Sequence, residues 1–362
     1  MPWNWERKDW PRFRYMTEDL VGLETQFLQY AGELAGSLKY IQEEEQMTIK
    51  VDLLSHEAYK TSKIEGEILD RSSIQSSIRR HLGLKPDGQR VSPAENGIAE
   101  MMVNLYKTYD LPLTEDMLFS WHQMLMEGRR DIIEIGRYRS HEDPMQVVSG
   151  RMDRPTVHFE APPSARVKHE MDVFIQWFND THLSHSILIR AGIAHLYFES
   201  IHPFEDGNGR LGRAISEKVL SQGLGRPVLL ALSHTIERNK KDYYTALHQN
   251  SSDLDITPWL RYFSETVLQA QQYAQQTVDF VISKGQFYTR FAALLNERQH
   301  KVVARIFQEG VNGFQGGLSA DNYMRIAKTT ASTATRDLQK MIEIGAVKKT
   351  GQLKGTRYFL NL

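Results

Sequence analysis

Apolar residues recur at helical spacing along most of this chain. Leu20, Leu23, Phe27, Tyr30, Leu34 and Leu38 return every three or four positions, which predicts a helix. A second helix is expected over about 49–69, within a stretch, 17–82, that reads as helical throughout. Gly83-Leu84-Lys85-Pro86-Asp87-Gly88 then punctuates the chain. Residues 93–130 predict two more helices, broken near Leu111-Pro112. The pattern changes over 136–163. Arg137-Tyr138-Arg139, the turn-like Ser149-Gly150, and Val157-His158-Phe159 before Pro162-Pro163 predict a loop and a β-hairpin. Helical spacing returns over 164–180, 186–201, about 209–222 and about 240–276.

A boundary is expected near Ser283-Lys284-Gly285. Beyond it the charge turns basic, with 12 Lys and Arg against 5 Asp and Glu from Gly285 to Leu362. The pattern there predicts helices over 299–307, 320–327 and 332–344, then strands at 346–349 and 357–360 around a Gly-rich turn. Three helices and a hairpin in that order are the layout of a winged helix-turn-helix. Thr329-Thr330-Ala331-Ser332-Thr333-Ala334-Thr335-Arg336-Asp337-Leu338 resembles the turn and recognition helix of bacterial regulators. Lys348, Lys349, Lys354 and Arg357 would sit in the wing. Duplex DNA, held through its phosphates, and a protein partner both fit such a module. The expected domains are an N-terminal helical region (1–90), a core (91–282) and the winged helix (285–362).

A length of 362 residues agrees with two or three domains. The 44 basic and 45 acidic residues leave the whole molecule no strong field for nucleic acid or an anionic membrane. The absence of cysteine excludes a disulfide framework, a thiolate zinc site and a cysteine nucleophile. The opening is polar and mixed in charge, unlike a signal peptide, and no apolar run approaches the ~20 residues that span a bilayer. A cytoplasmic protein with no membrane partner is expected.

The chemistry concentrates in Ile201-His202-Pro203-Phe204-Glu205-Asp206-Gly207-Asn208-Gly209-Arg210-Leu211-Gly212-Arg213. Proline ends the apolar helix, and a Gly-Asn-Gly turn opens the next one. Free N–H groups at a helix start, with the helix dipole, form an anion site. Arg210 and Arg213, three apart, share one helix face and suit a polyphosphate. Asp206 can hold Mg²⁺, which takes one or two carboxylates beside phosphate oxygens. His202 can accept a proton near neutral pH. Together these describe phosphate-group transfer. Plainer readings exist: a structural histidine, and arginines paired with Glu217 on a solvated face. The stretch 207–212 also fits GxGxxG, but that fingerprint needs a strand before it, and Ile187 to Ile201 has helical spacing.

His202 to Arg213 matches the Fic motif HPFx[D/E]GNGRxxR at every fixed position, so the chain resembles the Fic family over roughly 114–262. Gly136-Arg137-Tyr138-Arg139, the hairpin and Pro162-Pro163 also look like the family. The resemblance implies a mainly α fold, a helical bundle with one small hairpin, the flap that lines up a target segment. It implies transfer of AMP from ATP to a Ser, Thr or Tyr hydroxyl of a target protein, with Mg²⁺. His202 would be the general base and Asp206 the metal ligand. Asn208 and the Gly207 and Gly209 backbone would hold the α- and β-phosphates. Arg213 would hold the γ-phosphate, with Arg210 in support. Ser149 in the flap, and Tyr243-Tyr244 near the adenine, would complete the nucleotide site. The tyrosines also fit simple helix packing. The chain itself is a conceivable target, and a homodimer is compatible with the family.

Thr61-Ser62-Lys63-Ile64-Glu65-Gly66 fits the family's inhibitory pattern [S/T]xxxE[G/N]. Leu54, Ala58, Thr61, Glu65 and Ile68 fall on one helical stripe, which places the Glu65 carboxylate on the buried side, with Arg213 as its expected partner. Gly66 inside a helix suggests a close approach to another backbone. Glu65 is thus the expected inhibitor. Two other functions remain open: hydrolytic removal of AMP at the same site, and a nucleotide-sensing transcriptional regulator.

Overall fold

The computed structural model describes residues 2–18, 20–39, 41–85, 88–151, 154–181, 186–312 and 316–362. By contact density these form two units: 1–35 with 50–274, and 36–49 with 275–362. The N-terminal helices α1 (Val21–Lys39) and α2 (Glu43–Ile64) contribute to both.

In the first unit α3 (Arg71–His81) starts at Asp70, whose carboxylate accepts the Ser73 N–H (2.9 Å). Helix α4 (Pro93–Lys107) starts at a Ser92/Glu95 capping box with proline at its first position. Helix α5 (Glu115–Leu125) follows the expected break. The hairpin comprises β1 (Gln146–Arg151) and β2 (Arg154–Glu160), antiparallel, with Val147 opposite Phe159 and an irregularity before Val148. Helix α6 (Ser164–Asp180) leads to α7 (Ile187–Ile201). Helix α7 is buried from Leu188 to Ile201, Glu199 alone excepted, and its few polar residues, Arg190, His195 and Ser200, are buried with the apolar ones. A helix covered on every side belongs in the centre of a bundle. It packs against α8 (Asn208–Leu224), and the loop between them carries the motif.

The remaining helices differ from the sequence pattern. A short α9 (Leu232–Arg238) is present where none was expected. The span 240–276 is two helices, α10 (Lys240–Gln249) and α11 (Thr257–Phe291), separated by a turn in which Asp253 and Asp255 accept backbone N–H groups. Helix α11 runs through Ser283-Lys284-Gly285 without a break. Gly285 lowers helix propensity by only about 1 kcal/mol, which the flanking helix formers absorb.

In the second unit, α12 (Glu297–Gln308), α13 (Ala320–Ala327) and α14 (Ala331–Glu343) precede β3 (Val347–Thr350) and β4 (Arg357–Leu360). The element order is the expected one. Buried Asp337 of α14 ties the helices: it takes Arg298 Nε (2.8 Å) and the Tyr323 hydroxyl (3.0 Å). Leu318 bridges Tyr358 of β4. No helix among the described residues is long and apolar enough to cross a membrane.

Candidate active site

Helix α7 ends at His202, whose backbone is left-handed (φ 51°, ψ 59°). A non-glycine residue holds that conformation only when its surroundings demand it. Arg139 supplies the demand. Its buried guanidinium donates to the His202 carbonyl (2.8 Å) and to Ser164 Oγ (2.9 Å), and its own N–H donates to the Pro203 carbonyl (2.9 Å). The His202 side chain is 15% exposed, with Nδ1 3.4 Å from the Glu199 carbonyl. Burial, reinforced by Arg139, pushes its pKa down to about 4, so the ring is neutral at pH 7. A neutral imidazole is the form that accepts a proton.

The loop after His202 is shaped from inside. Asn208 accepts the Phe204 N–H (2.9 Å) and donates to the Phe204 carbonyl (2.8 Å). Its side chain therefore holds the loop, and only its backbone is left for a phosphate. His122 of α5 stacks on Phe204 at 4.2 Å. Its Nδ1 accepts the Gly136 N–H (2.9 Å), so its Nε2 carries the proton and donates to the Asp206 carbonyl (3.1 Å). Helix α8 then begins, and its first N–H groups have no acceptor within the helix.

Arg213 is 2% exposed. It donates from Nε to Thr61 Oγ1 (2.7 Å) and from Nη2 to the Thr61 carbonyl (3.1 Å) and Glu65 Oε1 (2.7 Å). Burial disfavours its charge, but Glu65 outweighs burial and raises its pKa. Among the described residues Arg213 Nη1 and Arg210 Nε are buried donors without an acceptor. The structure thus brings Glu65 to Arg213, as the stripe suggested, but not from a buried helix face. Helix α2 ends at Ile64, Ile68 is 94% exposed, and the Glu65 side chain is 25% exposed. Gly66 has φ 87° with no described atom within 4 Å of a Cβ, so it turns the chain out of the helix instead of meeting another described backbone. The close approach lies at Gly209, where a Cβ would stand 2.4 Å from Glu65 Oε1. The Glu65 carboxylate lies against the start of α8, where an anion is expected.

Two covered carboxyls, Glu199 and Glu57, went unread in the sequence, and the setting of a third, Glu217, was misread. Glu199, without a partner at Oε1 among the described residues, is pushed up to about 8 by burial, partly countered by Arg213. Glu57 of α2 and Glu217 of α8 hydrogen-bond each other, and burial raises both pKa values. Two carboxyls in contact share a proton. Glu217 is therefore not the solvated partner of the motif arginines. Glu67 was also missed. It takes Arg210 Nη1 (2.7 Å), and its other oxygen stands 3.5 Å from Arg129 Nη1, which donates to Asp206 (2.9 Å). Glu67 follows Glu65 by two residues, and only a chain leaving its helix presents both to α8.

Asp206 is one-third exposed beside the start of α8. Burial works against its charge, but Arg210, the Gly207 N–H and Arg129 together hold its pKa below the usual carboxylate range. Its oxygens take the Gly207 N–H (2.6 Å) and Arg129 (2.9 Å), and an ionised, partly exposed carboxylate at a helix start fits Mg²⁺, which draws its other ligands from phosphates and water. Tyr243 is buried, and its hydroxyl meets His195 Nε2 (2.7 Å), so it packs the core. Tyr244 is 38% exposed and lies beside Glu65, so of the two tyrosines it is the one next to the candidate site. The Ser149 backbone pairs with Thr156 in the hairpin, and its side chain lies outside the described atoms.

A helical bundle with one hairpin, and a motif loop at the start of a central helix, define a Fic-type domain. Residues 112–220 match the Fic/DOC family, and the chain carries a domain of that family. Residues 3–84 match a domain of unknown function, DUF4172. Protein adenylyltransferase fic-1 of Caenorhabditis elegans is 28% identical over 186 residues, 50% of this chain and 33% of that protein. Protein adenylyltransferase Fic of Aedes aegypti is 32% identical over 140 residues, 38% of this chain and 27% of that protein. The chain spans about a third of the length of the curated relatives it matches. A crystal structure of a Fic family protein from Desulfovibrio desulfuricans superposes with a TM-score of 0.57 at 24% identity, covering 97% of this chain and 98% of that one. That likeness is one of fold.

Proposed function

We propose that this chain is a protein adenylyltransferase, moving AMP from ATP to a hydroxyl of a target protein and held back by Glu65. The observation that carries the reading is the convergence at one loop of a neutral, largely covered histidine, His202, and two buried arginine N–H groups, Arg210 Nε and Arg213 Nη1, without acceptors among the described residues, beside a helix start. His202 would take the proton of the attacking hydroxyl. The start of α8, Arg210 and Arg213 would hold the phosphates. Asp206 would hold Mg²⁺, which supplies charge neutralisation of phosphate oxygens when bound. The hairpin would align the target segment. The names of the relatives support this reaction. Incubation of the full chain with ATP and Mg²⁺, followed by mass spectrometry, tests it: a gain of AMP on the chain or on an added protein is expected, and a phosphate gain or no gain overturns it.

Glu67 makes a further contact with the phosphate machinery, and its effect is separable. Glu67→Ala removes a carboxylate from Arg210 and should tighten ATP binding by about threefold, the scale of a partly exposed ion pair. Calorimetric titration with ATP reads this directly. Unchanged or weaker binding would show that Glu67 does not compete with nucleotide.

The second unit is proposed to act as a winged helix that binds duplex DNA. Helix α14 exposes Ser332, Thr335, Arg336, Gln339 and Lys340 along one side, and β3 exposes Lys348 and Lys349. The full chain should bind duplex DNA at low salt, with affinity falling by about tenfold or more between 50 and 200 mM salt. Arg336→Glu should abolish the binding. If gel shifts show none at low salt, this unit serves a protein partner.

A further inference from the structure

Residues 3–16 belong to the matched domain of unknown function and lie along the turn between α10 and α11. The Asn4 N–H donates to the Ser251 carbonyl (2.7 Å), and the Arg7 guanidinium donates to the Ser252 carbonyl (2.6 and 3.0 Å). Farther on, the Arg14 N–H donates to the Leu254 carbonyl (2.7 Å), and the Arg14 carbonyl accepts the Ile256 N–H (2.9 Å).

From this seat, adjacent residues reach two parts of the site. Asn4 is fully buried and donates from Nδ2 to Ser200 Oγ (2.8 Å), in the last turn of α7 and two residues before His202. Its Oδ1 accepts the Trp5 N–H (2.8 Å), which fixes the amide orientation. The Trp5 indole N–H donates to the Glu160 carbonyl (2.7 Å) at the end of β2, and the Arg166 guanidinium lies 5.2 Å from the ring centre. Trp3 meets Phe159 edge-on at 5.3 Å. From the far side, His248 Nδ1 donates to the His158 carbonyl (2.7 Å). Each of the last three residues of β2 is thus anchored from outside the hairpin. A two-stranded hairpin is marginal by itself, so such anchors set its position.

We propose that Trp3-Asn4-Trp5 is a positioning element that fixes the hairpin relative to the His202 base. One peptide unit, about 3.8 Å between Cα atoms, links the residue that holds the end of α7 to the residue that holds the base of β2. A target hydroxyl aligned by the hairpin must come within about 3 Å of the imidazole. A shift of about 1 Å costs on the order of 10²-fold in rate. The proposal rests on the adenylyl-transfer reading above for its consequence, while the brace itself is geometric.

The test uses the full chain carrying Glu65→Gly, with Trp5→Phe and Asn4→Ala added singly. Trp5→Phe keeps a ring beside Arg166 and removes only the N–H donor, so it guards against simple misfolding. Amide exchange of residues 156–160 should quicken by about fivefold, the scale of one lost hydrogen bond. AMP incorporation into the chain at saturating ATP should fall about tenfold. Calorimetric ATP affinity should stay within about twofold, because the phosphate machinery is untouched. Parallel loss of thermal stability, ATP affinity and transfer would mean a general structural role and would overturn the proposal. Unchanged exchange in β2 would overturn it also. If the Glu65→Gly parent transfers no AMP, the reading of the reaction falls, and the exchange measurement still decides the brace.

Discussion

Glu65→Gly is expected to raise AMP transfer by about 100-fold, with a much smaller change in ATP affinity. The reason is competition for one guanidinium. Arg213 has Nη2 on Glu65 Oε1 at 2.7 Å, and the same carboxylate crowds Gly209 at the start of α8. A γ-phosphate gripped by Arg213 needs that space. ATP entering beside Glu65 is displaced from the attack line, and misplacement by about 1 Å is worth on the order of 10²-fold. Glycine removes the carboxylate and tolerates the turn at the end of α2. Arg213→Ala should not activate, because it removes the phosphate grip together with the inhibitory pair. The double variant should be as inactive as Arg213→Ala. Labelled-AMP incorporation by all four proteins, under one ATP and Mg²⁺ condition, measures this. Equal incorporation by the wild type and Glu65→Gly would rule out inhibition by Glu65. If Glu65→Gly instead lost the power to strip AMP from a modified target, hydrolysis would become the leading reading.

His202→Ala in the Glu65→Gly background should lower transfer by about 10³-fold while ATP binding survives, the usual scale for a positioned general base. The pH dependence carries a second signature. Burial holds the His202 pKa at about 4, below the ordinary histidine value, so the base form persists until the pH falls through that value. The kcat/KM of Glu65→Gly should therefore show no histidine inflection near pH 6.5. It should decline only as the pH approaches 4 to 5. An alanine variant with undiminished transfer would remove His202 from the reaction. An inflection near 6.5 would mean that the ring is solvated when it works.

Much of the site was legible because it is contiguous. A base, a proline stop, a glycine turn and two arginines lie within His202 to Arg213, and local rules alone place them on a helix end, a loop and a helix start. Glu65 was legible by pattern, yet its setting was misjudged. Periodicity extended the helix through Ile68, whereas the positive φ of Gly66 ends it. Tyr243 and Tyr244 look alike in sequence, but the hydroxyl of Tyr243 is committed to His195 in the core.

What the sequence determined by itself was most of the chain of local elements and the contiguity of the candidate groups from His202 to Arg213, since helix spacing, caps and the motif turn depend on neighbours a few residues away. It also announced three helices and a hairpin at the C-terminal end. Only the tertiary structure decided how distant groups share charge. Glu57 beside Glu217, Glu67 on Arg210, Arg129 on Asp206 and Asn4 on Ser200 join residues separated by scores of positions. No periodicity encodes such pairs. Burying a charge or a polar group obliges it to find a partner, and which partner is near is settled by packing, not by sequence spacing.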